Sequence, residues 1–330
     1  MDKSGNTGLN TGMRRDTPPR RRGCRNDDAV SSVVALMLLL AVIATFLSLY
    51  ATTYVPGLKE QSEIDRTNTV KEAFVGFSSD IERIVYKKAG GVSYGYSVPL
   101  GAGDVLMSPE KSSGMLAVRN LGNFTDIYVD SDLVANCSMV NVTFEPSYSF
   151  WEEQGYVWQY GYINVTKGVR TTPLEAYSMD DVLNSASEFS FSPFARQFIG
   201  FETKDDGSGN LVNLTVTAVS IIPGQSTFTS GNGHAVLRVR TDETPPLTYI
   251  NPQWLNFTFT NSSTDKVASN FSADLADKTE DYLKQLAFDY GNVERPSRIP
   301  GDAGQPDTIT LELSGVEVTV RTLTVYVSAS

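Results

Sequence analysis

The sequence has only two cysteines and one histidine in 330 residues. Cys24 lies in a basic N-terminal stretch and Cys137 stands alone in the rest, so no disulfide can close after residue 29. A small secreted domain usually needs such staples, whereas one above about 200 residues buries enough surface without them. Cys24 also precedes the apolar segment, where a lipid-carrying cysteine would follow it. A lone His234 in Gly231-Asn232-Gly233-His234, with no cysteine cluster to help it, excludes a multi-histidine metal site. A serine triad would need that histidine beside a serine and a carboxylate. Gly101-Ala102-Gly103-Asp104 is followed by no Gly-Lys-Ser or Gly-Lys-Thr and reads as a turn, not a phosphate loop. Paired carboxylates of the glycosidase kind depend on geometry, and nothing in the sequence selects a pair. No cofactor is called for, and the chain reads as non-enzymatic.

Positive charge is scarce too, except at the start. Residues 1–29 hold seven basic side chains (Lys3, Arg14, Arg15, Arg20, Arg21, Arg22 and Arg25) against four acidic ones. Residues 30–330 therefore carry 20 basic against 34 acidic. Such an acidic surface argues against a nucleic-acid partner, which needs basic stripes along the phosphates.

What the sequence does have is Val30–Val55, VSSVVALMLLLAVIATFLSLYATTYV, 26 residues without a charge. At about 1.5 Å per residue a helix of this length exceeds the roughly 30 Å hydrocarbon core of a bilayer. The basic, Gly-, Pro- and Asn-rich stretch before it predicts a cytoplasmic leader, with the rest of the chain outside. The junction reads Asp28-Ala29-Val30, with the small residue before the helix. A secretory signal places its small-residue site after the apolar stretch, where only Tyr50-Ala51-Thr52 is comparable.

DDAVSSVVALMLLLAVIATF resembles the N-terminal segment of archaeal type IV pilins. Their prepilin peptidase cuts between such a charged-small pair and the helix. Position five after the cut is Val34, where bacterial pilins carry Glu. TTYVPGLKEQSEID, with FSSDI further on, resembles an uncharacterised group of methanogen surface proteins that share this start. The resemblance implies processing at Asp28, Ala29 and Val30, a prepilin-type peptidase and the membrane as partners, and assembly with itself or other pilins through the helix. It implies a structural or adhesive subunit of a type IV pilus-like filament. The alternative is a membrane-anchored surface glycoprotein that uses the same export signal without polymerising.

The chain then divides into a leader (1–29), a hydrophobic-then-amphipathic helix (30–88) and a β-rich extracellular domain (89–330), with a sub-boundary marked near 195–200. Pro56-Gly57 should kink or break the helix near the outer membrane face. Beyond it Val70, Phe74, Phe77, Ile81 and Ile84 recur at helical steps and predict a packed stripe. From Gly90 onward, stretches rich in β-branched and aromatic residues alternate with turn residues: Met115–Arg119, Phe124–Val129, Met139–Phe144, Tyr156–Val165, Glu188–Phe191, Leu211–Ile221, Ala235–Arg240 and Trp254–Thr260. Ile309–Leu313 and Val316–Val327 flank Ser314-Gly315, a hairpin signal. A helix from an N-cap at Ser272 to Gly291 interrupts them. The fold class is mainly β: a long N-terminal helix followed by a β-sandwich-like domain of antiparallel sheets.

Eight asparagines (Asn123, Asn136, Asn141, Asn164, Asn213, Asn256, Asn261 and Asn270) have Ser or Thr two places on, against about three expected by chance. They are candidate glycosylation sites on an exported chain. Asp205-Asp206-Gly207-Ser208-Gly209-Asn210 offers closely spaced oxygens for calcium, or else a solvated hairpin loop. Trp151, Tyr156, Trp158, Tyr160 and Tyr162 would either fill a core or form a face for surface carbohydrate.

Overall fold

The computed structural model describes residues 27–101, 112–174, 192–260, 266–301 and 305–330. It separates into two compact units, one up to Thr52 and one from Thr53 to Ser330. In the first, α1 (Asp27–Leu49) contains the apolar run. A π-helical segment, Tyr50–Tyr54, follows, and α2 (Val55–Lys87) opens directly after it. The Pro-Gly pair therefore does not break the helix. Pro56 sits in the first turn of α2, where a missing N–H costs nothing, and the wide π turn just before it accommodates the change in hydrogen bonding.

The second unit is mainly β, built as two sheets that share one strand, β8 (Leu211–Gly231). In the first sheet β8 is flanked by β7 (Ile199–Asp205) and β14 (Glu317–Ala329). Beyond β14 come β9 (His234–Glu243) and then β1 (Ser93–Pro99), with β10 (Leu247–Ile250) also on β14. The second sheet runs β12 (Ser297–Ile299), β13 (Asp307–Glu312), β11 (Trp254–Phe259), β2 (Ser113–Val129), β3 (Asp132–Ser147), β4 (Gln154–Gln159), β5 (Tyr162–Lys167) and β6 (Arg170–Pro173). The far end of β8, Phe228–Gly231, pairs with β2, so the strand passes from one sheet into the other. Pro223-Gly224 lies just before that passage. Proline donates no ladder hydrogen bond, which suits a strand about to leave its neighbours.

Three sequence expectations change here. The sheets are not wholly antiparallel, because β8 and β14 run parallel from Asn213↔Glu317 to Pro223↔Val327. The intervening β9–β13 and the helix Lys266–Asp289 form the crossover that parallel pairing demands. Ser314-Gly315 is not a hairpin turn: β13 and β14 belong to different sheets and do not pair. Tyr156–Val165 is two strands joined by Tyr160-Gly161, whose φ values of 49° and 84° make the two-residue left-handed turn of a tight hairpin. A Cβ on Gly161 would lie 2.5 Å from Phe194 Cδ1, so this place needs glycine twice over.

That helix, α4 (Lys266–Asp289), begins before the expected cap. Ser272 lies inside it, buried, and its hydroxyl has no hydrogen-bond partner among the described residues. A short α3 (Ser192–Ala195) precedes β7. The sub-boundary marked near 195–200 falls within the core of this one unit. An aromatic chain runs through it: Phe77–Trp158 (ring centroids 5.1 Å apart), Trp158–Phe194 (6.4 Å), Phe194–Phe198 (5.0 Å) and Phe198–Phe271 (5.5 Å), each pair edge-to-face. It ties α2 to α4 through β4. The expected strand at 188–191 lies outside the described residues.

The predicted stripe of α2 is buried: Val70, Phe74, Phe77 and Ile81 are fully covered and Ile84 nearly so. It lies on the domain's own strands β1, β4 and β5. A second, polar row continues it toward the start of the helix. Lys59, Glu63 and Thr67 are also buried, at four-residue spacing. Glu63 Oε1 accepts the Ser149 amide at 3.1 Å, and its Oε2 accepts those of Phe150 (3.0 Å) and Trp151 (2.7 Å). Lys59 Nζ stands 4.8 Å above the Phe150 ring. The helix therefore clamps the β3–β4 loop with charge as well as apolar surface.

Candidate functional site: the apolar helix and the sequon-bearing surface

Twelve large apolar side chains of α1, from Val33 to Leu49, are exposed on all sides of the helix. Thr45 Oγ1 donates to Ala41 O at 2.7 Å and Thr52 Oγ1 to Ser48 O at 2.8 Å, so these hydroxyls need no water. The segment is long and apolar enough to cross a membrane, and none of its most apolar window is buried within the chain. These side chains are about half exposed, so at about half of the 1.5–3 kcal/mol for full burial of each, withdrawing the twelve from water is worth about 10–20 kcal/mol. Asp28, Ala29 and Val30 fall within the first helical residues of α1.

The candidate glycosylation sites separate by burial. Asn123 on β2 and Asn136 on β3 are exposed, while Asn141, Asn213, Asn256 and Asn270 are half-buried. Asn164 is 4% exposed, which leaves no room for a sugar on the folded domain. Asn261 lies outside the described residues. Two sequons have a structural use of their own. Thr143 Oγ1 donates to Asn141 Oδ1 at 2.6 Å, and Thr215 Oγ1 to Asn213 Oδ1 at 3.0 Å. Residues i and i+2 of a strand share a face, so Asn-x-Thr on a strand is also a side-chain pair. In these two sequons the Asn and Thr therefore also stabilise one another on the strand face.

The other candidates resolve into structure. Tyr156, Trp158, Tyr160 and Tyr162 are core residues, so they cannot present a carbohydrate face; only Trp151 is exposed. The Asp205–Asn210 run is the β7–β8 turn. Asp205 Oδ1 accepts the Gly207 amide, Asp206 Oδ1 the amides of Ser208 and Asn210, and Asp206 Oδ2 the Asn210 side-chain amide. Hydrogen bonds from Ser208 and then Asn210 hold the Asp206 carboxyl well below the usual range. The loop's own donors thus use the oxygens that calcium would need, which favours the hairpin-loop reading. Among the described residues, no three His, Cys, Asp or Glu side chains come together in a metal-holding group. Cys137 is fully buried, and burial pushes its thiol up to about 12.

Gly91-Val92-Ser93-Tyr94-Gly95 has the spacing of a nucleophile elbow. Its setting is wrong. Ser93 opens an edge strand instead of a strand-to-helix turn, and it pairs with Arg240 while His234 pairs with Pro99. Six strand positions, about 20 Å, separate the serine from the histidine.

Comparison with protein-family models, with curated proteins and with solved structures found no match for this chain.

Proposed function

We propose that the chain is a pilin-like cell-surface protein, a structural or adhesive subunit of a type IV pilus-like filament without enzymatic activity. Its leader would be removed before Val30 by a prepilin-type peptidase, and its β-domain would stand outside the membrane, glycosylated on exposed asparagines. One observation carries the reading: a helix apolar all round directly follows a basic leader and a charged-small junction. Retained as the new N-terminus, that helix would bundle with those of other subunits, and burial in the bundle would offset extraction from the bilayer. The packing of α2 along its own domain would leave α1 as the polymerising part.

The test has two stages. N-terminal sequencing of the membrane-associated protein should read VSSVVALM; retained Met1 would mean a plain signal anchor. Sheared surface filaments should then contain the protein by mass spectrometry. Abundant protein in membranes with none in any filament fraction would defeat the filament and leave the anchored glycoprotein.

A further inference from the structure

We infer that the turn between β5 and β6, Lys167-Gly168-Val169-Arg170, is a membrane-contact foot that rests in the headgroup layer beside the point where the chain leaves the bilayer. Val169 at its tip is wholly exposed, as no core-forming valine would be. Gly168 supplies the positive φ, 57°, that closes the turn, and Lys167 and Arg170 flank the valine.

The position of the tip follows from how β4 and β5 lie along α2. Trp151 N donates to Glu63, the Tyr156 ring lies 5.8 Å from Phe74, and the Trp158 ring 5.1 Å from Phe77. Residue numbers rise together, so β4 runs in the same direction as α2. β5 is antiparallel to β4, with Lys167 opposite Gln154, and so runs back toward the start of α2. Two further residues, about 7 Å, carry Val169 beyond Gln154 toward the Val55–Glu63 end. That end is where the chain arrives from the apolar segment, with Thr52 next to Thr53. Trp151 (37% exposed) and Tyr54 (58%) occupy the same end, the residue types that settle at membrane interfaces. Glu152, 3.4 Å from Lys167, balances one charge, and the side chain of Arg170 is exposed and long enough to reach a lipid phosphate. An apolar tip between long basic side chains, with tryptophan and tyrosine beside it, fits a lipid surface.

This inference rests on the apolar helix being in a bilayer, and the experiment separates the two. Full-length protein carrying Cys24→Ser and Val169→Cys is labelled with a small environment-sensitive fluorophore; the buried Cys137 stays unreactive. A second preparation carries Cys24→Ser and Ser208→Cys, which puts the label on the β7–β8 turn. Both are reconstituted into phosphatidylcholine–phosphatidylglycerol vesicles containing a nitroxide near the headgroup. The label at 169 should be quenched several-fold more than the label at 208 and shielded from aqueous iodide. Equal quenching at the two positions, with the protein resistant to carbonate extraction, would overturn the foot and leave the span standing. Shielding from iodide without nitroxide quenching would show a protein contact and overturn it too. Release by carbonate would remove the span, and the foot with it.

Discussion

Replacing Glu63 by alanine tests whether the helix holds its domain by charge as well as by apolar burial. The carboxylate is 1% exposed and accepts three backbone amides at 2.7 to 3.1 Å. Hydrogen bonds to a charged group are worth about 1.5–3 kcal/mol each, but Ser149 and Trp151 are exposed enough for water to refill their amides. The expected loss is therefore about 3 kcal/mol, less than three full bonds. For a unit of this size that lowers the melting temperature by about 6–12 °C. Glu63→Gln keeps one carbonyl acceptor but loses the charge and turns an N–H toward the amides, so about half the effect should follow. Near-UV circular dichroism of the solubilised full chain reads the melt, and amide hydrogen exchange at 149–151 reads the loop. An alanine variant melting within about 2 °C of wild type with unchanged exchange would refute the clamp.

Phe77→Ala should cost about 3–5 kcal/mol, since the ring is fully buried against Trp158, and denaturant unfolding will show it as a lower midpoint. Gly161→Ala meets both a positive φ and the Phe194 ring and should cost about 2–4 kcal/mol in the same assay. Glu280 is partly desolvated, which alone would raise its carboxyl. Hydrogen bonds from Lys284 and Arg298 outweigh this and set it below the ordinary 4.5. The unfolded chain then binds more protons through that window, so stability should rise with pH there and be lost as acid takes the carboxyl through its lowered value. Arg298→Met should flatten that part of a stability-against-pH curve. Glycopeptide mapping of native protein should find sugar on Asn123 or Asn136 and none on Asn164.

The apolar helix and the stripe of α2 were legible because their signal is local: charge-free length in one, period 3.6 in the other. The polar row Lys59, Glu63 and Thr67 was not, since the same residues on an unburied face would look identical. Its meaning depends on a loop some 85 residues away. The start of α4 was misread because Ser272 is a good cap in isolation and nothing local reveals that it is buried. Tyr160-Gly161 was missed as a turn because tyrosine is uncommon in the left-handed region. The parallel pairing of β8 with β14 is invisible to any reading of neighbours, since alternation specifies a face and not a partner. The sequons carry a second meaning that only the pleat reveals. Asn-x-Thr was read as a mark for an enzyme, and on β3 and β8 it also serves as a hydrogen-bonded pair.

The position of β14 sets a timetable for the chain. It fills the gap between β8 and β9, bonded on both sides, although β8 precedes it by about a hundred residues. Until β14 arrives, β8 and β9 each present an open edge and the sheet cannot close. In the export route proposed above, the hydrophobic helix would enter the bilayer while most of the domain was still an unsealed collection of strands. The protein would be tethered first and folded afterwards. In the interval its loose edges would be exposed to every neighbouring copy anchored in the same membrane, so crowding there would favour mispairing.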